Sequence, residues 1–235
     1  MTVLCVLPGL DGTSRMLRGF VDAARAAGFA DAYAVAYPPD RALDYDALEP
    51  LVRERLPTSP FVLLGESFSG PLALRIAADP PAQLRGLVLS TTFAVAPIPL
   101  PSACAPLAHL APVHGAPAFA LAWALLGRWR TPALEADLRA CLRGVAPDVL
   151  RTRMAATLRV DARDALARIR VPTLVLRARH DRLMRAATSR RLIAGIIQAD
   201  CVDIDGPHLL LQTRTDACVA RILAFAQTRC AMRPA

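Results

Sequence analysis

Six short apolar runs punctuate the chain: Val3–Leu7, Ala32–Tyr37, Phe61–Leu64, Gly86–Ser90, Pro172–Arg177 and Cys201–Ile204. They lack the strict alternation of a half-exposed strand and suit strands covered on both faces. Between them, longer stretches carry apolar residues at helical spacing: Ser14–Ala27, Tyr45–Leu56, Phe68–Ala78, Ala186–Ile197 and Leu209–Thr228. In the last of these, Leu210, Thr213, Ala217, Ala220 and Leu223 recur with the helical period. Alternating strands and helices imply right-handed crossovers. The pattern therefore predicts an α/β fold with a mostly parallel sheet of about six strands and helices on both faces. No internal repeat is visible.

The alternation fails between Thr91 and Arg170. Thr91–Gly127 holds no Asp, Glu, Lys or Arg but six prolines, which rule out one long helix. Arg128–Arg170 then turns charged and helical, with ten arginines against five acids. The expected organisation is a core made of residues 1–90 and 171–235, with residues 91–170 inserted as a cap after the fourth strand.

Composition narrows this picture. A chain of 235 residues with 54% hydrophobic content can bury one sizeable core plus an insertion. The first run ends at Pro8-Gly9 without a basic flank, so it reads as a core strand and not a signal peptide. No apolar window of membrane-spanning length escapes proline or charge. A cytoplasmic location is the expectation. Net charge is +8, and all 28 basic residues are arginine. Arginine-for-lysine usage throughout an Ala- and Pro-rich chain suits genome-wide codon bias better than a selected polybasic surface. No nucleic-acid motif accompanies it, so nucleic acid is not an expected partner. The six cysteines show no CxxC spacing and suit reduced thiols. Cys5 and Cys201, both inside strand patterns, are expected in the core.

The chemistry concentrates at "VLLGESFSGPLALRIAA", residues 62–78. A strand runs into a glycine, one serine follows among small residues, and a helix begins. Such a corner pushes the Ser67 hydroxyl into the cleft at the sheet's carboxyl edge, where free N–H groups of the helix start can meet an oxyanion. The motif is G-x-S-x-S-G, with Ser69 where glycine is usual. The plainer alternative is a helix-capping serine. A serine nucleophile needs a base. His208, in "DIDGPHLLLQT", sits after the last strand at the same edge. His109 and His114 fall in the Pro-rich segment. An imidazole base needs a carboxylate on its far nitrogen, and Asp181 follows the fifth strand in "TLVLRARHDRLM". No acid follows the fourth strand, where the residues are Ser90-Thr91-Thr92. Asp203 and Asp205 read as loop acids. An oxyanion hole requires two converging backbone N–H groups, expected from Phe68 and from Leu10 in the loop "LPGLDGT". Asp11 in that loop should point away from an oxyanion.

"LPGLDG", "GESFSG", "RHDRL" and "GPHLLLQT", in that order, resemble the α/β-hydrolase superfamily over nearly the whole chain except the inserted segment. The chain begins at what would be the family's third strand, a compact layout similar to type II thioesterases and small carboxylesterases. The resemblance implies no metal or organic cofactor and a lid over the site. Serine in place of the aspartate of family dehalogenases and epoxide hydrolases implies acyl transfer through an acyl-serine. The expected substrate is a small-molecule carboxylic ester or thioester with a hydrophobic acyl or alcohol part. Trp123, Phe119 and Leu107, with Ile98 and Leu100 nearby in sequence, are candidates to line its pocket. Arg128, Arg130, Arg139, Arg143, Arg151, Arg153 and Arg159 form a candidate basic face. Arg139 and Arg143, four apart on one helical side, would dock an acyl carrier protein, as lid arginines do in pimeloyl-carrier methyl esterases of the same superfamily. Two alternatives stand beside a free-ester hydrolase: a carrier-directed esterase or type II thioesterase, and a ligand-binding relative without catalysis.

Overall fold

The computed structural model describes residues 2–97, 102–113, 115 and 118–230; Ile98, Leu100 and His114, named above, lie outside the described residues. Six strands form one sheet: β1 (Val3–Leu7), β2 (Asp31–Ala34), β3 (Phe61–Glu66), β4 (Leu84–Ser90), β5 (Thr173–Ala178) and β6 (Ala199–Ile204). Their order is β2-β1-β3-β4-β5-β6 and every neighbouring pair is parallel. The helices are α1 (Arg18–Ala27), α2 (Tyr45–Arg53), α3 (Gly70–Ala78), α4 (Ala118–Leu126), α5 (Pro132–Arg143), α6 (Pro147–Arg159), α7 (Arg163–Leu166), α8 (Ala186–Ala194), α9 (Leu210–Thr213) and α10 (Thr215–Arg229).

The two-residue period of the strands sorts the core into two layers. Cys5, Leu7, Leu63, Leu87, Leu89 and Val175 face the side covered by α2, α3, α7 and α8. Leu4, Val6, Val62, Leu64, Val88, Leu174 and Leu176 face α1, α9 and α10. Because both faces are covered, the middles of the central strands are continuous apolar runs, residues 4–7, 61–64 and 86–89, which is why they stand out in the sequence.

The margins depart from expectation. β6 begins at Ala199, two residues before the expected start, and Cys201 is exposed rather than in the core. Among the described residues β5 is its only strand neighbour, so β6 forms the edge of the sheet. The face of Cys201 also carries Asp203, which pairs with Arg177 of β5 at 2.6 Å. The expected terminal helix is broken at Arg214 (φ −132°, ψ 40°) into α9 and α10. Thr213 and Thr215 on either side each donate a hydroxyl to the carbonyl four residues back, a bond that competes with regular helix. α2 ends at Arg53 rather than Leu56, and a 3-10 turn, Arg15–Leu17, precedes α1.

The segment between β4 and β5 holds a 3-10 run, Ser102–Leu110, and α4 to α7. Its two ends are tied together. Val95 and Asp161 form an antiparallel bridge, Ala96 N–H donates to Val160 O at 3.1 Å, and Ala162 N–H donates to Ala94 O at 2.7 Å. The chain leaves and re-enters the sheet layer through one narrow neck. Among the described residues, no helix is long and apolar enough to cross a membrane.

Candidate active site

β3 ends at Glu66 and the chain turns at Ser67, whose φ of 47° lies in the left-handed region. A non-glycine residue there carries strain of about 1–2 kcal/mol. The corner closes because its neighbours are small. A Cβ on Gly65 would stand 2.7 Å from Ala73 Cβ and 2.9 Å from Ser69 O, and one on Gly70 would run into the Thr92 side chain. Thr92 in turn donates its hydroxyl to Ser67 O. Ser69, in the place of the usual glycine, is fully buried and donates to Pro8 O. The Tyr37 hydroxyl donates to Ser69 Oγ at 2.6 Å. The Tyr45 hydroxyl donates to Phe68 O at 2.8 Å, and its ring stacks on that of Phe68 at 4.7 Å. The turn is held from three directions.

His208 lies beyond β6, where Gly206-Pro207 turns the chain into α9. Its imidazole is 2% exposed. Ser67 Oγ donates to His208 Nε2 at 2.8 Å, and His208 Nδ1–H donates to Asp181 Oδ2 at 2.9 Å. The other Asp181 oxygen accepts the Leu183 and Met184 N–H groups at 2.8 and 2.9 Å. One carboxylate oxygen is thus fixed by the backbone, leaving the second for the ring. Ser67, His208 and Asp181, drawn from three segments far apart in sequence, stand in one hydrogen-bonded line.

The loop after β1 comes up against this line. Gly12 N–H donates to Gly9 O at 3.0 Å, closing a tight turn that leaves Gly12 at φ 68°. Asp11 folds back on its own loop, accepting from Thr13 N–H at 3.0 Å and from the Thr13 hydroxyl. Its Oδ2 is thus engaged within the loop. Among the described residues, the Leu10 N–H has no protein acceptor. Burial pushes the Asp11 carboxyl above its ordinary value, against the pull of the Thr13 hydroxyl and of Arg153.

Two charged groups here differ from the expectation: the sequence pattern assigns no role to Glu66 and another role to Arg153. Glu66, directly before Ser67, is 3% exposed and accepts from Gln212 Nε2 at 2.9 Å. Burial pushes it up to about 7, while the Gln212 and Gly9 donors pull it down. Arg153, expected on an exposed basic face, is 0% exposed, which corrects that expectation. Its Nη1 donates to Leu10 O and Asp11 O at 3.1 and 2.7 Å, and its Nη2 to Pro38 O at 3.0 Å. Burial lowers its proton affinity, opposed by Tyr37 and Asp11. A sequence signal existed: Arg153 falls on the stripe of α6 that carries the buried Val149, Leu150 and Ala156, where an isolated cation needs a partner.

Other expected residues lie elsewhere. Leu107, Phe119 and Trp123 are 62, 63 and 45% exposed, so they are not packed into an enclosed core. Arg130 lies over the Phe119 and Trp123 rings at 4.8 and 5.8 Å. The end of α4 is nonetheless anchored at the site, with Leu209 N–H donating to Leu125 O at 3.1 Å and Arg182 Nη1 to Trp123 O at 3.2 Å. Arg139 and Arg143 are exposed on α5. His109 is exposed too, and His180 binds Asp205 at 2.9 Å, away from Ser67's hydrogen-bond partner.

An all-parallel sheet with a serine at the β3–α3 corner, and an acid and a histidine following later strands, defines an α/β hydrolase. Within that superfamily the chain belongs to the serine aminopeptidase S33 (Hydrolase_4) family, which matches residues 40–210. No curated protein matches the sequence. Solved structures similar in fold include the enol-lactonase from Burkholderia xenovorans LB400, at 20% identity and TM-score 0.83, covering 96% of this chain and 91% of that one. The esterase EaEST from Exiguobacterium antarcticum is similar at 13% identity and TM-score 0.83, covering 97% and 92%. MenH from S. aureus is similar at 18% identity and TM-score 0.75, covering 97% and 94%.

Proposed function

We propose that the protein is a serine hydrolase that cleaves a small carboxylic ester or thioester carrying a hydrophobic acyl or alcohol part. The observation that carries this reading is the line Ser67–His208–Asp181, with Ser67 partly accessible and the imidazole buried. In the reaction, His208 Nε2 takes the hydroxyl proton as Ser67 Oγ bonds to the acyl carbon. Asp181 holds the ring in the tautomer that leaves Nε2 free and stabilises the imidazolium. The oxyanion is received by the N–H groups of Leu10 and Phe68. Collapse of the adduct breaks the bond to the alcohol or thiol, which leaves with the proton from His208. Water, deprotonated by the same imidazole, then releases the acid and regenerates Ser67.

Residues 91–170 serve in this reading as a cap. α4 is apolar on every side (Ala118–Leu126) and is pinned beside His208, which supports an apolar substrate part at the rim. The experiment is covalent labelling with a fluorophosphonate, combined with a panel of esters and thioesters of graded acyl length and an amino-acid anilide. The expected result is labelling at Ser67 and turnover of esters or thioesters with apolar acyl groups. Ser67→Ala is expected to lose labelling and turnover while melting at nearly the same temperature. Turnover of the anilide alone would replace the ester reading with an amide one. Absence of labelling on folded protein would end the catalytic reading.

A further inference from the structure

Among the described residues, Arg153 is the largest side chain with almost no exposure. Removing a guanidinium from water costs several kcal/mol, and an apolar residue of similar volume would fill the space more cheaply. The arginine's contacts give the cation a specific task. Its two terminal nitrogens take three main-chain carbonyls, two of them consecutive in the loop after β1. Asp11, in that same loop, supplies the opposing charge, and the Tyr37 ring lies 5.5 Å from the guanidinium carbon. Gly12 fits only because it has no side chain, since a Cβ there would collide with Arg153.

Every carbonyl from Pro8 to Gly12 is engaged. Pro8 O takes Ser69 Oγ and Gly9 O takes Gly12 N–H. Leu10 O and Asp11 O take Arg153, and Gly12 O takes Tyr37 N–H at 2.8 Å. With these carbonyls held, the peptide planes cannot rotate without breaking bonds, and Leu10 N–H is left presented without a partner. Without Arg153, Leu10 O and Asp11 O would lose their donor and their peptide planes would be free to turn; the second of these planes carries the Gly12 N–H that holds Gly9 O, so the plane of the Leu10 N–H would loosen with it.

We propose that Arg153 is a positioning residue that sets the direction of the Leu10 N–H, so that the segment between β4 and β5 aims half of the oxyanion site. The proposal rests on the serine-hydrolase reading above. An oxyanion donor matters most in the transition state, so loss of its aim should lower kcat and leave ground-state binding alone.

The test compares wild type, Arg153→Met and Arg153→Lys on one ester that wild type turns over. It adds the affinity of a trifluoromethyl ketone isostere of that ester, whose adduct with Ser67 places an oxyanion at Leu10, and of the matching methylene analogue, which forms no adduct. Arg153→Met should lower kcat about 10- to 100-fold with KM changed less than about threefold. Ketone affinity should fall by a similar factor and methylene-analogue affinity should hold. Arg153→Lys, which keeps the charge, should recover part of the loss, and it carries the test if Arg153→Met does not fold. A folded variant with unchanged kcat and ketone affinity overturns the proposal. So does equal weakening of both analogues, which is the mark of a merely structural residue. Wild type that neither labels at Ser67 nor turns over esters overturns the hydrolase reading itself, and is told apart by needing no variant.

Discussion

Glu66 stands one residue from Ser67, and its ionisation sets a pH dependence on the whole chain. An ordinary glutamate near 4.5 is pushed to about 7 here, first by burial. The folded state therefore binds this proton more tightly than the unfolded chain does. The resulting stability is fully present below pH 4.5 and is lost as pH rises to about 7. The difference is on the order of 3 kcal/mol. Glu66→Gln, which has no proton to lose, should be less sensitive over that window. Urea unfolding at intervals from pH 5 to pH 8 should show the wild-type curve falling relative to the variant's, and parallel curves would refute it. The sequence announces Ser67, Asp181 and His208 because each follows a strand at the same sheet edge. Glu66 is silent there, since what makes it matter is burial supplied by distant chain, and Arg153 is announced only by its place on the apolar stripe of α6. Cys201 misleads for the opposite reason, as a strand pattern does not say which strand is outermost.

At the scale of elements, the β3–α3 corner and the β1 loop are joined by Ser69. The serine that departs from the usual motif is a bridge, linking Pro8 O on one side to the Tyr37 hydroxyl on the other. Ser69→Ala leaves two buried polar groups without their partner and should cost about 1–3 kcal/mol. Thermal unfolding measures this. In a double-mutant cycle with Tyr37→Phe, the two losses should sum to more than the double variant shows. The elements themselves are legible where burial is two-sided: β1 is apolar throughout, β3 and β4 are apolar over residues 61–64 and 86–89, and α1 and α3 carry a clear helical period. They were least legible at α9 and α10, where threonine hydroxyls interrupt a periodic pattern that continues through the break.

The whole molecule is one sheet layered with helices on both faces, with a large excursion between β4 and β5. The loss of strand–helix alternation after Thr91 marks that excursion in the sequence, because no core strand needs a run of prolines. Its apolar half carries the candidate pocket residues Leu107, Phe119 and Trp123, which are exposed to solvent. Hydropathy reports that a residue is greasy, and neighbouring segments decide whether anything covers it.

The neck at Ala94–Ala96 and Val160–Ala162 makes the excursion look interchangeable, since its two ends meet and a loop of different length costs little extra entropy to close. Transplanting a foreign lid across that junction should therefore yield a chain that still melts cooperatively. It should also be a poor catalyst, because the graft discards Arg153, and adding back an arginine able to reach Leu10 O should recover turnover where lid length and greasiness do not. Evolution, on this arrangement, can re-tailor specificity by swapping cassettes only if each newcomer brings its own brace for the loop below.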